Sequence, residues 1–283
     1  MTVISLDIDT LSHDQRLRRS AFLAGLVVLT YDHLLTLGSE VTHIWSAKVK
    51  RSAAWFLLFR YTALLSNLTM TAFFLGDFSP ESCKTLSSAE NYLLVIQEFF
   101  VGCTLSIRVC AMYGFNRRVF AALAIAALTT VSLGAWAIVG PTISIDTDLP
   151  GCHVTTPRQQ AIRVAAAWEA QLVCDILILG LTLRRAYTYH RTVGLRSGSL
   201  LPIMVRDGAV YFGMICLVNL ANIVMLYAGD IITAGSLAWF ASAISVTMIS
   251  RLMLNLHDAA RGSSRNGVFT DHEMEPIRFH RPT

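Results

Sequence analysis

The scarcest commodity in this sequence is charge. Only 15% of the 283 residues are Asp, Glu, Lys or Arg, while 54% are hydrophobic and mean hydropathy is +0.52. Soluble domains carry about 25% charged residues, so this composition argues against one or two water-soluble domains. A large soluble helical protein would also show polar helix faces at 3.6-residue spacing. Segments such as "VFAALAIAALTTVSLGAWAIVG" show none. Lysine is absent beyond Lys84, which excludes a retinal pigment held by a lysine in the last apolar segment. HExxH, GxSxG and a phosphate-binding glycine loop are missing as well, and His272 and Glu273 in "DHEME" lack a second histidine. Catalysis therefore has no motif behind it, and no catalytic residue, cofactor or resident metal is assigned. No basic stretch interleaved with aromatics points to nucleic acid, and no internal repeat of the transporter kind is visible.

What the chain does have is long apolar runs. A membrane crossing takes about 20 mostly apolar residues, and seven segments qualify, near 17–37, 52–75, 92–113, 119–140, 161–183, 207–228 and 232–254. The expected fold is an all-α, polytopic seven-helix bundle over 17–256, with an N-terminal tail at 1–16 and a flexible polar tail at 257–283. A signal peptide is the alternative for the first run, because Arg16, Arg18 and Arg19 precede it, but no small-residue cleavage site follows.

Orientation follows from the retention of Lys and Arg in cytoplasmic loops. Loop one carries Lys48, Lys50 and Arg51, loop three Arg117 and Arg118, and loop five Arg184, Arg185, Arg191, Arg196 and Arg206. The even loops are poor in both residues, so the N-terminus is expected outside and the C-terminus in the cytoplasm. The arginines before the first run point the other way and are outvoted. Arg117, Arg118, Arg184 and Arg185 would then face a cytoplasmic partner.

Two cysteines, Cys83 and Cys152, fall in outer loops, the oxidising side, where a disulfide would close a loop of about 70 residues and contribute about 4 kcal/mol in the chain-entropy model. The other four lie within spans as small packing residues.

Ionisable groups inside spans cost several kcal/mol unless paired or wet, so each is a functional hypothesis. At 1.5 Å per residue Asp32, Arg60, Arg108 and Asp175 all lie roughly 8–12 Å from the inner ends of their spans. This balanced set is expected to be a buried charge cluster, Asp32 pairing with Arg60 across the first short loop. It would fix helix register, or gate the protein if its pairs exchange. Glu98 and Glu169 form a second, like-charged pair near the outer surface. If both face one cavity, that cavity would take a cation, an amine or a proton, with Asn222 as a further ligand. Asn219 and Asn222, on one helix face, would otherwise hydrogen-bond across to a neighbouring helix. "NLT" at Asn67 matches a glycosylation sequon but falls inside a span.

Seven spans and an outer disulfide at the top of span three resemble the layout of a G-protein-coupled receptor. The common motifs of that superfamily are absent: "SIRVCAMYG" stands where a D-R-Y triplet would, and "ISRLMLNLHD" where N-P-x-x-Y would. The blocks "YDHLLTLGSEVTHIW", "FRYTALL", "RVCAMYGFNRRV", "LTLRRAY", "VRDGAVYFG" and "SRLMLNL" more closely resemble a family of basidiomycete multi-pass membrane proteins whose N-terminal region is a domain of unknown function. That resemblance implies a fungal seven-helix protein and brings no activity with it. The functional expectation is a receptor-like sensor of a small ligand, in the plasma membrane or another secretory-pathway membrane. A proton-coupled carrier and a structural membrane protein are the alternatives.

Overall fold

The computed structural model describes residues 8–45, 51–76, 80–139, 143–144, 154–155, 157–193, 200–230 and 232–265. Among these it is helical almost throughout. The helices are α1 (Ile8–Glu40), α2 (Arg51–Leu75), α3 (Pro80–Met112), α4 (Arg117–Ile138), α5 (Arg158–Val193), α6 (Leu200–Ala228) and α7 (Ala238–Arg265), with a π-helical turn at Val41–Trp45 continuing α1. A short antiparallel hairpin, β1 (Ile143–Ser144) with β2 (Val154–Thr155), lies against α3.

Helix is what these runs must form in a medium without water, because every backbone N–H and C=O is then satisfied within its own segment. Among the described residues, five stretches are long and apolar enough to cross a membrane: Ser12–Glu40, Thr85–Met112, Arg117–Ile138, Arg158–Arg185 and Gly208–Ala228. α2 and α7 instead carry polar side chains inward, among them Arg60, Ser66 and Asn67 on α2 and Ser242, Ser245 and Thr247 on α7. The helices overrun the expected spans. α1 begins within the region expected as an outer tail, and α7 continues to Arg265, inside the expected C-terminal tail; residues 266–283 lie outside the described residues.

α7 is the hub. It packs against α1, α6, α3 and α2, while α3 touches α2, α4, α5 and α7. Small residues make this possible: a Cβ on Gly25 of α1 would sit 3.0 Å from the Cα of Phe240, and Ala241 and Ala243 are fully buried. The main apolar core joins Leu105 and Val109 of α3, Ile178 of α5, Phe212 and Ile215 of α6 and Val246 and Ile249 of α7. α4 lies outermost, burying only Leu123, Gly134 and Ala137 and exposing Ile125, Leu128 and Val131. In a bilayer, such a face is solvated by lipid.

α3 ends at a tight turn. Gly114 (φ 59°) and Phe115 (φ 55°) are both left-handed, Phe115 N–H donates to Cys110 O at 2.8 Å and Gly114 N–H to Ala111 O at 3.1 Å. This Schellman closure uses glycine where a side chain would be strained. Asn116 then caps α4 by accepting from Arg118 N–H at 2.9 Å.

Candidate functional site

α3 spans the bundle and its polar residues divide the interior into layers. Toward the N-terminal end of α3, Glu90, 6% exposed, accepts from Arg18 Nη2 at both carboxylate oxygens, at 3.0 and 3.1 Å, and from Trp239 Nε1 at 3.1 Å. The Arg18 guanidinium also lies 5.3 Å over the Phe74 ring. This node thus ties α1, α3, α2 and α7 together through a charge-assisted, aromatic-backed pair.

Two turns deeper Gln97 accepts from Ser66 Oγ at 2.9 Å, and Glu98 accepts from Ser242 Oγ of α7. Glu98 also lines a cavity of about 110 Å³ between α3, α4 and α5. Apart from Glu98, Gln171, Asn91, Thr130 and the thiols of Cys103 and Cys174, its walls are apolar, with Phe99, Val131 and Trp168 among them. The Glu98 Oε2 atom is buried and has no hydrogen-bond partner. A cavity of this size has room for several waters or a small ligand.

The expected partner carboxylate is elsewhere. Glu169 is exposed on α5, does not line the cavity and accepts from Tyr227 OH at 2.8 Å. Its neighbour Trp168 turns inward instead, because successive helix residues differ by about 100°. Asn222 also stays out of the cavity and is fully buried on the inner face of α6.

One turn along α5 from Gln171, Asp175 is 1% exposed and hydrogen-bonded by two amides, Gln171 Nε2 at 3.2 Å and Asn219 Nδ2 at 2.7 Å. Asn219 therefore bonds across from α6 to α5, one of the two roles its position allowed.

The four inner charges do not pair among themselves. Arg251 of α7 donates from Nε to Asp32 Oδ1, and Arg60 takes Glu40 at 3.0 Å, both partners almost fully buried. The expected Asp32–Arg60 pair is corrected accordingly. Arg60 further donates to His33 Nδ1 at 3.1 Å, to His33 O at 3.0 Å and to Thr36 Oγ1 at 2.6 Å. Glu40 Oε1 accepts from Tyr61 OH and Trp45 Nε1, each at 3.0 Å. The physical reason is helix length. α1 and its π turn carry Glu40 and Trp45 past Leu37, near which the apolar run ends, and bring them within reach of α2. Arg108 meets no carboxylate among the described residues; its guanidinium lies 5.9 Å over the Phe212 ring and its Nη1 is unpartnered.

Arg117, Arg118, Arg184 and Arg185 are all exposed, and the structure gathers them at one end. Arg117 and Arg118 open α4 directly after the Gly114 turn, and the Arg185 guanidinium lies 5.8 Å over the ring of Tyr113 in that turn. Cys83 is buried against Phe22, Met70 and Trp239, and Cys152 lies outside the described residues. Asn67 is 1% exposed and donates to Ala63 O, so its sequon is sealed inside α2.

Glu40, Glu90, Gln171, Ser242 and Arg251 were not picked out by sequence reasoning. A usable signal existed for Glu40, Glu90 and Arg251: each is a charge of the sign needed by an intramembrane partner, standing within about two turns of a span boundary. Ser242 and Gln171 gave no such signal.

Taken together, these helices define a multi-pass helical integral membrane protein with a polar interior. Residues 20–65 match the model of a family of unknown function, DUF6533. The matched stretch covers most of α1, its π turn and the first half of α2, and so holds the whole Glu40–Arg60–Tyr61–Trp45 network. No curated protein matches the chain.

Proposed function

We propose that this protein is a receptor-like seven-span sensor of a small ligand, with the cavity between α3, α4 and α5 as the binding site and Glu98 as its charged contact. The carrying observation is the unpartnered, buried Glu98 Oε2 at the edge of an otherwise mostly apolar cavity. A carboxylate in that setting selects a ligand with an apolar body and one cationic or strongly donating group. Ligand there would contact α3, whose far end carries the Gly114 turn beside the arginine-lined face formed by Arg117, Arg118, Arg184 and Arg185. A cytoplasmic signalling protein with an acidic surface suits that face. The proposed orientation places it inside, with the N-terminus outside.

A Cys83–Cys152 disulfide belongs to this reading. It is supported by β2, which begins two residues after Cys152 and whose hairpin lies against α3, the helix bearing Cys83. Such a bond suits a secretory-pathway or plasma membrane.

The test uses purified full-length protein in detergent with a fluorescent dansyl alkylamine and its uncharged alcohol analogue. The amine is expected to bind at least about tenfold more tightly, and Glu98→Gln to remove that preference while Glu169→Gln leaves it unchanged. Equal binding of the two probes, or an undiminished preference in Glu98→Gln, overturns the assignment. Glu98-dependent flux of the amine into proteoliposomes would make the site a carrier's instead.

A further inference from the structure

Asp175 has no use in the reading above. It is 1% exposed, yet among the described residues neither it nor Glu98 makes an ion pair, although Arg18, Arg60 and Arg251 each find a carboxylate. A carboxylate in the interior of a membrane bundle without an ion-pair partner incurs a large solvation cost.

The side chains around Asp175 are unfinished in a consistent way. Asn219 and Asn222 are both 0% exposed and lie one turn apart on the same face of α6. Asn219 spends its amide donor on Asp175, and its Oδ1 has no partner. Asn222 has no partner for either amide atom, and Glu98 has none for Oε2. Ser245 of α7, fully buried, donates to Ala241 O and keeps its lone pairs. Buried polar atoms without partners are rare, and each costs about 1–3 kcal/mol. Asn219 Oδ1 and Asn222 Oδ1 are thus partnerless acceptor oxygens one turn apart on the α6 face that meets Asp175, the pattern left by a missing positive charge.

We propose that this layer is a binding site for a monovalent alkali cation, with Asp175 supplying the charge and Asn219 and Asn222 supplying neutral oxygen ligands. All the donors are hard oxygens, which disfavours zinc or copper. Asp175 provides one full charge, matching one positive charge, and Mg²⁺ would have to shed waters it gives up reluctantly. Gln171 lines the cavity and donates directly to Asp175, so the cavity wall is one hydrogen bond from the site. The ion site does not depend on the cavity's own ligand.

The experiment is thermal unfolding of the purified full-length protein in detergent, comparing sodium chloride and potassium chloride with N-methyl-D-glucamine chloride at equal ionic strength. Tm is expected to rise saturably in sodium or potassium, as mass action requires for a ligand bound only by the folded state. Asp175→Asn should abolish the rise. Asn222→Ala deletes no hydrogen bond within the protein, so it should fold and should raise the half-saturating concentration about tenfold, the equivalent of about 1.4 kcal/mol. If Asp175→Asn fails to fold, Asn222→Ala decides the matter. Equal Tm in all three salts, or an unchanged half-saturation in Asn222→Ala, overturns the site. A stabilisation produced equally in every salt by acidification alone would give the neutralising role to a proton and overturn it too.

Discussion

The Glu40–Arg60 pair illustrates how a single buried charge is held in this bundle. Arg60 is 2% exposed and Glu40 is 0% exposed, so neither can fall back on water if the other is removed. Losing one partner of such a pair leaves an uncompensated charge and costs about 3–5 kcal/mol. Glu40→Gln is therefore expected to lower Tm sharply in detergent, and Glu40→Gln with Arg60→Gln should be more stable than the sum of the two single losses. Asp32→Asn with Arg60→Gln should behave additively, since Asp32 bonds to Arg251. Additivity in the first cycle and coupling in the second would reverse the pairing described here. The charges that matter were visible in the sequence as interruptions of apolar runs, as with Asp32, Arg60, Glu98 and Asp175. Their partners were not, because Glu40 and Arg251 stand at run ends where charge is unremarked, and Ser242 is one serine among several on α7. Nor does the sequence place Glu98 and Glu169 on different faces; their helices' rotation, set by packing, decides that.

At the scale of elements, the α1–α7 contact depends on the absence of a side chain at Gly25. A methyl there would meet the Phe240 backbone at 3.0 Å and Ala243 Cβ at 3.4 Å, and backbone cannot swing aside as a long side chain can. Gly25→Ala is expected to destabilise the protein by about 1–3 kcal/mol through overpacking. Gly213→Ala on α6, where nothing lies within 4 Å, should be neutral or stabilising, because alanine outranks glycine in a helix by roughly 0.5–1 kcal/mol. A Tm for Gly25→Ala at or above that of the unsubstituted protein would show that α1 and α7 can separate freely. That hinge would matter, since the Asp32–Arg251 bond and the Arg18–Glu90–Trp239 node join the same helices at opposite ends. The small-residue character of α7 was readable in "AGSLAWFASAIS", whereas its role as hub was not: the same stripe would suit any close helix neighbour.

For the whole molecule, helical class and membrane length were legible because apolar excess over about 20 residues has few other physical outlets. Helix ends were less so, since the polar overhangs of α1, α5 and α7 carry no hydropathy signal. The arginines ahead of the first span stand against the proposed outside N-terminus. Arg18 is held by Glu90 and Phe74 within the bundle, so it anchors helices and need not mark a cytoplasmic side. The arginines exposed at the other end, Arg117, Arg118, Arg184 and Arg185, are the ones that carry the proposed orientation. Phe115 in the α3–α4 turn and Asp230 after α6 are both exposed and stand at opposite ends of the bundle. With membrane-impermeant maleimide on intact cells, Asp230→Cys is expected to label above the background of the unsubstituted protein, and Phe115→Cys only after permeabilisation. The inverse pattern would place the arginine face outside and remove the cytoplasmic partner from the reading. Labelling of both positions in intact cells would mean the chain between Phe115 and Asp230 crosses the membrane an even number of times, against the three crossings, α4, α5 and α6, of the proposed bundle.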